Sequence, residues 1–282
     1  MSDLAHHLRD PGDGAERPVD SPLPFRYVYV ARSRRSGGLS LGVDLTPQGH
    51  CSFSCVYCQA SHPPVSNPDL TVDTERLRDE LLRKLRADAA GELRDVVLAG
   101  SGEPTSVPNA PAAFDAVRQA CDEAGFRLPR RIYTNARHLA NPSVFDALVA
   151  WTAAGGELWV KLDATRPEAF EAINGRRFDA ASHLAGIWRL AQAAPIGVQT
   201  MLLQGPSLPT PADLALDVAE AIAAARAQGA QIREVHVVTL SRVPSDPRSA
   251  SVLRAVDADG LAALGAMIAS RGGVPVRTFP SR

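Results

Sequence analysis

Three cysteines crowd into eight residues, Cys51-Ser52-Phe53-Ser54-Cys55-Val56-Tyr57-Cys58, a spacing that asks what three thiols would do together. An odd number cannot pair internally, and a reducing cytosol disfavours disulfides in any case. Metal binding is the natural use. Zinc in a closed structural site usually takes four protein ligands, so His50 or His62 would have to complete the set. A four-iron, four-sulfur cluster held by the same thiols would instead leave one iron without a protein ligand, the open position that catalysis needs.

Other chemistry-bearing residues are spread further along the chain. Gly100-Ser101-Gly102-Glu103-Pro104-Thr105 ends an apolar run, where small residues let backbone approach a ligand. The pattern is Gly-x-Gly-x-x-Thr rather than the dinucleotide fingerprint, which makes a nucleotide-phosphate loop the weaker reading, and Glu103 suits holding the segment better than acid/base work. Asn135 closes a later strand, and Lys161 and Asp163, two apart at the end of another, share one face, as an ion pair or as contacts to a ribose or carboxylate. Gln199 and Arg242 are further candidate ligand contacts. Arg34 and Arg35 suit a phosphate or carboxylate, or simply a solvated strand edge. Cys121 reads as a small core residue. His138, His183 and His236 lack metal-ligand spacing and read as structural, while His6 and His7 fall in a proline-rich terminus.

The elements that must position these groups follow an alternating pattern. From residue 25 onward, β-branched runs alternate with Ala/Leu/Arg-rich segments of helical period, which is the pattern of strand and crossover-helix units in a parallel sheet. The strand candidates are residues 39–45, 95–99, 131–134, 158–162, 198–203 and 235–240, followed by a helix at 257–270 and a terminal strand at 274–279. Asn141-Pro142, Thr210-Pro211 and Thr165-Arg166-Pro167-Glu168 each read as helix starts, with a side-chain acceptor at N-cap and proline in the first turn. The last also reads as a Thr/Glu capping box. The first interval is swollen and too little chain follows the sixth strand for a complete eight-unit barrel, which typically needs about 250 residues of evenly spaced units. The expected fold is therefore α/β, a partial six-unit parallel barrel with catalytic groups at the C-terminal ends of its strands; an open doubly wound sheet is the rival.

The chain has 282 residues with 45% hydrophobic and 22% charged, as expected for one packed domain over residues 25–282 preceded by a flexible tail over 1–24. A formal charge of −1 gives no general basic footprint for nucleic acid. Only two of the 30 cationic side chains are lysines, Lys84 and Lys161, a bias that reads as genomic composition. No apolar run approaches the roughly 18 residues of a membrane span, and the start, MSDLAHHLRDPGDG, lacks a signal peptide's apolar core. The expected location is the cytoplasm.

Cys-x3-Cys-x2-Cys followed by the Gly100–Thr105 strand end resembles the radical S-adenosylmethionine (radical SAM) enzyme superfamily. Within it, Ser33-Arg34-Arg35, Ser40-Leu41-Gly42-Val43-Asp44, Cys55-Val56-Tyr57-Cys58-Gln59 and Lys161-Leu162-Asp163-Ala164 are similar to the group containing tRNA 4-demethylwyosine synthase and its bacterial relatives. The resemblance covers most of residues 25–245. It implies a 4Fe-4S cluster on Cys51, Cys55 and Cys58, with S-adenosylmethionine on the fourth iron. It further implies reductive cleavage to a 5′-deoxyadenosyl radical and hydrogen abstraction from a substrate. By the same resemblance Tyr57 lies near adenine and Gly100, Ser101 and Gly102 near the methionine amino group, and a small flavin or iron-sulfur protein supplies the electron. The wyosine synthases add N-terminal cysteines for a second cluster and a lysine that engages pyruvate; here no cysteine precedes Cys51 and no lysine precedes Lys84. Three readings follow: a radical enzyme acting on a small molecule or peptide, an RNA-modifying enzyme, and a non-catalytic metal-stabilised binding module. A continuous basic surface from Arg26, Arg32, Arg34 and Arg35 would favour the second.

Overall fold

The computed structural model describes residues 25–60, 69–88 and 91–281. The expected tail, His6, His7 and His62 lie outside these. Strands β1 (Val28–Ser33) and β2 (Gly38–Val43) form an antiparallel hairpin. Crossover helices then separate β3 (Leu93–Leu98), β4 (Arg130–Thr134), β5 (Glu157–Lys161), β6 (Ile196–Met201), β8 (Ile232–Val238) and β10 (Val276–Phe279). All of these run parallel to β2, in the order β1-β2-β3-β4-β5-β6-β8-β10. A two-residue strand pair, β7 (Leu203–Gln204) with β9 (Arg254–Ala255), forms a small separate sheet.

The intervening helices are α1 (Thr74–Ala87), α2 (Ala110–Glu123), α3 (Pro142–Ala153), α4 (Pro167–Asn174), α5 (Ala180–Ala193), α6 (Pro211–Ala227), α7 (Pro247–Val252) and α8 (Ala258–Gly272). α1 packs on α2 and α6 on α8. Among the described residues no helix is long and apolar enough to cross a membrane.

The partial parallel barrel is thus present, with each expected strand within a few residues of its place. Two features correct the expectation. The hairpin strand β1 adds an antiparallel edge, so the first two strands are joined by a turn instead of a crossover. Thr165 does not cap α4: the N-cap is Arg166, without a side-chain bond. At α3 and α6 the acceptors Asn141 and Thr210 directly precede proline and bond Ser143 N and Asp213 N. Proline favours the first helical position, so a threonine two residues before it stands one place too early.

Period-2 alternation divides the side chains of each strand between two environments. Leu41, Val96, Leu98, Ile132, Leu158, Val160, Ile196, Val198, Val235 and Val237 are fully buried in the continuous apolar core. The opposite set is polar and aromatic. Arg131 bonds Asp95 and meets Glu157 at 2.7 Å. The Tyr133, Trp159, His236 and Phe279 rings then succeed one another at 5.9, 3.8 and 4.8 Å. Residues of β1, β2, β3, β4, β6, β8 and β10 line one cavity of about 400 Å³, so the sheet curls around a lumen. No ladder joins β1 to β10 among the described residues; Arg34 bridges these edges by donating to the Phe279 and Pro280 carbonyls.

His236 gives this interior a pH signature. Burial, then Arg277, Arg35 and Arg131, push its pKa down to about 3, so the ring is neutral near pH 7. Its 3.2 Å contact with Glu234 is therefore a hydrogen bond from Nε2–H, because a carboxylate only accepts. A folded-state pKa below the unfolded value of about 6.5 means that stability is present above pH 6.5 and is lost as pH falls towards 3. From pH 6.5 to 5 this one group should remove about 1.5 kcal/mol. His236→Phe should flatten that part of the profile in urea melts at pH 7 and 5; equal losses in parent and variant would refute the assignment.

Candidate metal centre

The three cysteines lie on the loop after β2, beyond the C-terminal end of a parallel strand, and none forms a disulfide. The loop is regular in its attachments though irregular in form. The last carbonyls of a helix lack partners within it, and here α4 offers those of Ile173 and Asn174 to Val56 N and Ser54 N, each at 2.9 Å. Gly175 follows in the left-handed conformation, φ +65°, and a Cβ there would stand 2.3 Å from Ser54 O. On the other flank Glu103 N donates to His50 O at 3.0 Å, and a Cβ at Gly102 would fall 1.8 Å from that oxygen. Ser245, beyond β8, donates from N and Oγ to Cys58 O at 2.7 and 3.1 Å. Three distant segments therefore clamp the loop by main-chain contacts.

Glu103 organises the strand ends beneath it. Its carboxylate is buried and accepts from Thr105 N (3.1 Å), Thr105 Oγ1 (2.6 Å), Thr134 Oγ1 (2.6 Å) and Asn135 N (2.7 Å). Asn135 Nδ2 in turn donates to Ser52 Oγ at 3.0 Å and reaches Cys51 Sγ at 3.8 Å. Ala136, next along, has φ +60° without being glycine, a local strain of order 1–3 kcal/mol that the surrounding bonds hold in place. Asp44 Oδ2 accepts from Ser101 N at 2.9 Å, fixing the Gly100–Gly102 segment against β2. A single short turn, Pro104–Ser106, follows it before α2 begins at Ala110. No long helix therefore starts directly on that segment, unlike a dinucleotide loop.

Asp163 is the second hub. It is 1% exposed and accepts from Tyr57 Oη, from Asn174 Nδ2 at 3.0 Å and from Met201 N at 2.9 Å. Lys161 stands 3.7 Å away and 4.9 Å above the Tyr57 ring. The Lys161–Asp163 ion pair is thus formed. Tyr57 is buried against both, its phenol pushed well above its ordinary range by desolvation, then by Asp163 and Cys55. Gln199 lies deeper, accepting from Arg35.

Tyr57, Asn135, Lys161, Asp163 and Gly100–Glu103 consequently gather around the cysteine loop, whereas Gln199, Arg34, Arg35 and Arg242 line the lumen below or beside it. Cys121 is buried in α2. Asn174 and Ser245 escape a sequence reading, and Asp44 enters it only as part of a resemblance motif, without its bond to Ser101 N. Asn174-Gly175 is recognisable as a helix end, but nothing local marks its amide as a sulfur contact, and no signal marks Ser245.

Among the described residues no three His, Cys, Asp or Glu side chains converge as a metal-binding group. This holds for Cys51, Cys55 and Cys58 as it does for His50, and His62 lies outside the described residues. The donor set fits a cluster bound by three thiolates. Asn174 Nδ2 donates to Cys55 Sγ at 3.3 Å, and Phe53 N to Cys51 Sγ at 3.5 Å; N–H groups aimed at sulfur are what stabilise and tune such ligands. Desolvation, ahead of neighbouring charges, pushes the Cys51 thiol up to about 12 and also raises Cys55. A bound cation reverses that balance, because coordination deprotonates a thiol outright.

No family model matches the chain. It is 29% identical over 185 residues to the UPF0026 protein slr1464 of Synechocystis sp., the match covering 64% of this chain and 66% of that protein, just under two thirds of its length. Among solved structures it superposes on a radical SAM methyltransferase from Sphaerobacter thermophilus with TM-score 0.64 at 18% identity, over 90% of this chain and 69% of that one. It also superposes on TYW1 with a lysine-pyruvate adduct bound, TM-score 0.51 at 13% identity, over 82% of this chain and 72% of that one. At such identities the likeness establishes the fold, and the resemblance drawn from the sequence holds at that level.

Proposed function

We propose, starting from the radical SAM fold that this chain carries, that it is a radical SAM enzyme acting on a small molecule or peptide. The observation that carries the reading is the placement of three undisulfided cysteines on one clamped loop, whose next residue Gln59 lines the lumen, with amide donors on two of the sulfurs. Cys51, Cys55 and Cys58 would hold a 4Fe-4S cluster. When bound, that cluster supplies one electron to S-adenosylmethionine, cleaving its sulfonium to methionine and a 5′-deoxyadenosyl radical that abstracts hydrogen from the substrate.

The chain's own residues orient and seal. Gly100 and Gly102 lack the Cβ atoms that would collide with Asp44 and His50 O, and Ser101 N is tied to Asp44, so the backbone is fixed at the edge where the methionine amino group would lie. Glu103 fixes that edge to Asn135 and thence to the loop. Asp163 holds Tyr57 and Asn174 in place beside Cys55 and pairs with Lys161. Lys161 is paired with Asp163 there, and the other lysine, Lys84, lies over the Phe25 ring. A small flavin or iron-sulfur protein is the proposed electron donor.

Anaerobically reconstituted protein given S-adenosylmethionine and dithionite should release 5′-deoxyadenosine with methionine in equal amounts. A reconstituted protein that leaves S-adenosylmethionine intact would reduce this chain to a non-catalytic metal-stabilised module.

A further inference from the structure

The lumen below the cysteine loop has a one-sided charge. Arg32, Arg34 and Arg35 from the β1–β2 hairpin line it, as does Arg242 from the loop after β8. Asp95 is the one acidic lining residue among those described, and its carboxylate already bonds Arg131. Low-dielectric walls bearing one sign of charge concentrate ligands of the other. Tyr29, Tyr133 and Phe279 supply apolar faces between the arginines.

Arg35 has the most specific setting. A second cavity of about 230 Å³ at the strands' N-terminal end is lined by Arg131, Glu157, Arg233, Glu234, His236 and Arg277. Arg35 and Tyr133 line both cavities, and so form the partition between them. The guanidinium lies 4.5 Å from the Tyr133 ring centroid and donates to Gln199 Oε1. A planar stack and a neutral amide hold it, and among the described residues no carboxylate forms an ion pair with it. Arginine presents five N–H donors in a rigid fork, and one of them meets Gln199. A half-buried cation fixed in orientation and left unneutralised is what a carboxylate or phosphate binds in bidentate fashion.

We propose that the lumen takes a substrate bearing a carboxylate or a phosphate, gripped by Arg35 at the floor, with Arg242 at the rim. This names the substrate class of the proposed enzyme and rests on that reading for the reaction, although anion binding itself is measurable without turnover. The probes are sodium succinate, inorganic phosphate and neutral succinamide. Each is titrated into the full reconstituted chain at constant ionic strength against sodium chloride, with binding read by calorimetry and thermal shift. Saturable binding of succinate or phosphate, absent for succinamide and at least tenfold weaker in Arg35→Gln, is the expected result. The stronger of the two anions indicates whether the natural group is a carboxylate or a phosphate. Where Arg35→Gln does not melt cooperatively, Arg242→Gln is read in its place, with the same expected weakening. Anions that bind no better than chloride, or a folded variant that binds as tightly as the parent, would overturn the proposal. Parent protein that releases 5′-deoxyadenosine yet binds neither anion would refute this inference alone. Anion binding without 5′-deoxyadenosine release would uphold the lumen site and refute the reaction.

Discussion

Replacing Cys51, Cys55 or Cys58 singly by alanine is expected to lower bound iron and 5′-deoxyadenosine release by more than about a hundredfold. Partners one step removed from a metal are already worth 10–100-fold in affinity or activity, and a lost thiolate is worse than a lost partner. Cys121→Ala is the matched control. That side chain is fully buried in α2, far from the loop in sequence and packed in the apolar core, so its truncation should cost about 1 kcal/mol of stability and leave iron binding unchanged. Iron and sulfide analysis with anaerobic absorbance on all four variants separates the two roles. A loop variant that retained parental iron would remove its cysteine from the ligand set.

Glu103→Gln should destabilise the protein by about 2–4 kcal/mol although it changes one atom. The carboxylate, 3% exposed, serves four donors: Thr105 N, Thr105 Oγ1, Thr134 Oγ1 and Asn135 N. A glutamine amide offers one accepting atom and turns N–H groups towards the rest. At least one buried donor then lacks a partner, at about 1–3 kcal/mol each, and the ionic strengthening of the other bonds is lost. Because Asn135 N is among these donors, its contacts with Ser52 and Cys51 should loosen too. Urea unfolding with intact cluster loading as a second readout checks this. A change below about 0.5 kcal/mol together with lost turnover would mark Glu103 as an acid/base group instead.

The parallel strands are legible because each is a short apolar run bounded by turn residues and followed by helical period, a local signal that the crossover topology reinforces. β1 is less so. Its Val28 and Val30 alternate with Tyr29 and Ala31 over six residues, one of them the exposed Val30, and a hairpin edge carries no crossover helix to announce it. Caps are legible where the acceptor directly precedes proline, as at Asn141 and Thr210, and misleading at Thr165. Within the site, cysteine spacing is a property of adjacent sequence and can be read there. The hubs are not, because Asp163 joins Tyr57, 106 residues away, to Met201, 38 residues away. Ser245 meets Cys58 across 187 residues. Contacts of that range are set by the curl of the sheet, which no short stretch encodes.

Electron paramagnetic resonance of the dithionite-reduced protein directly tests whether three thiolates hold a cluster whose remaining iron meets S-adenosylmethionine. A reduced 4Fe-4S signal whose g values shift on adding S-adenosylmethionine is the predicted result. Tightly bound zinc with no such signal, or a cluster signal indifferent to S-adenosylmethionine, would contradict it.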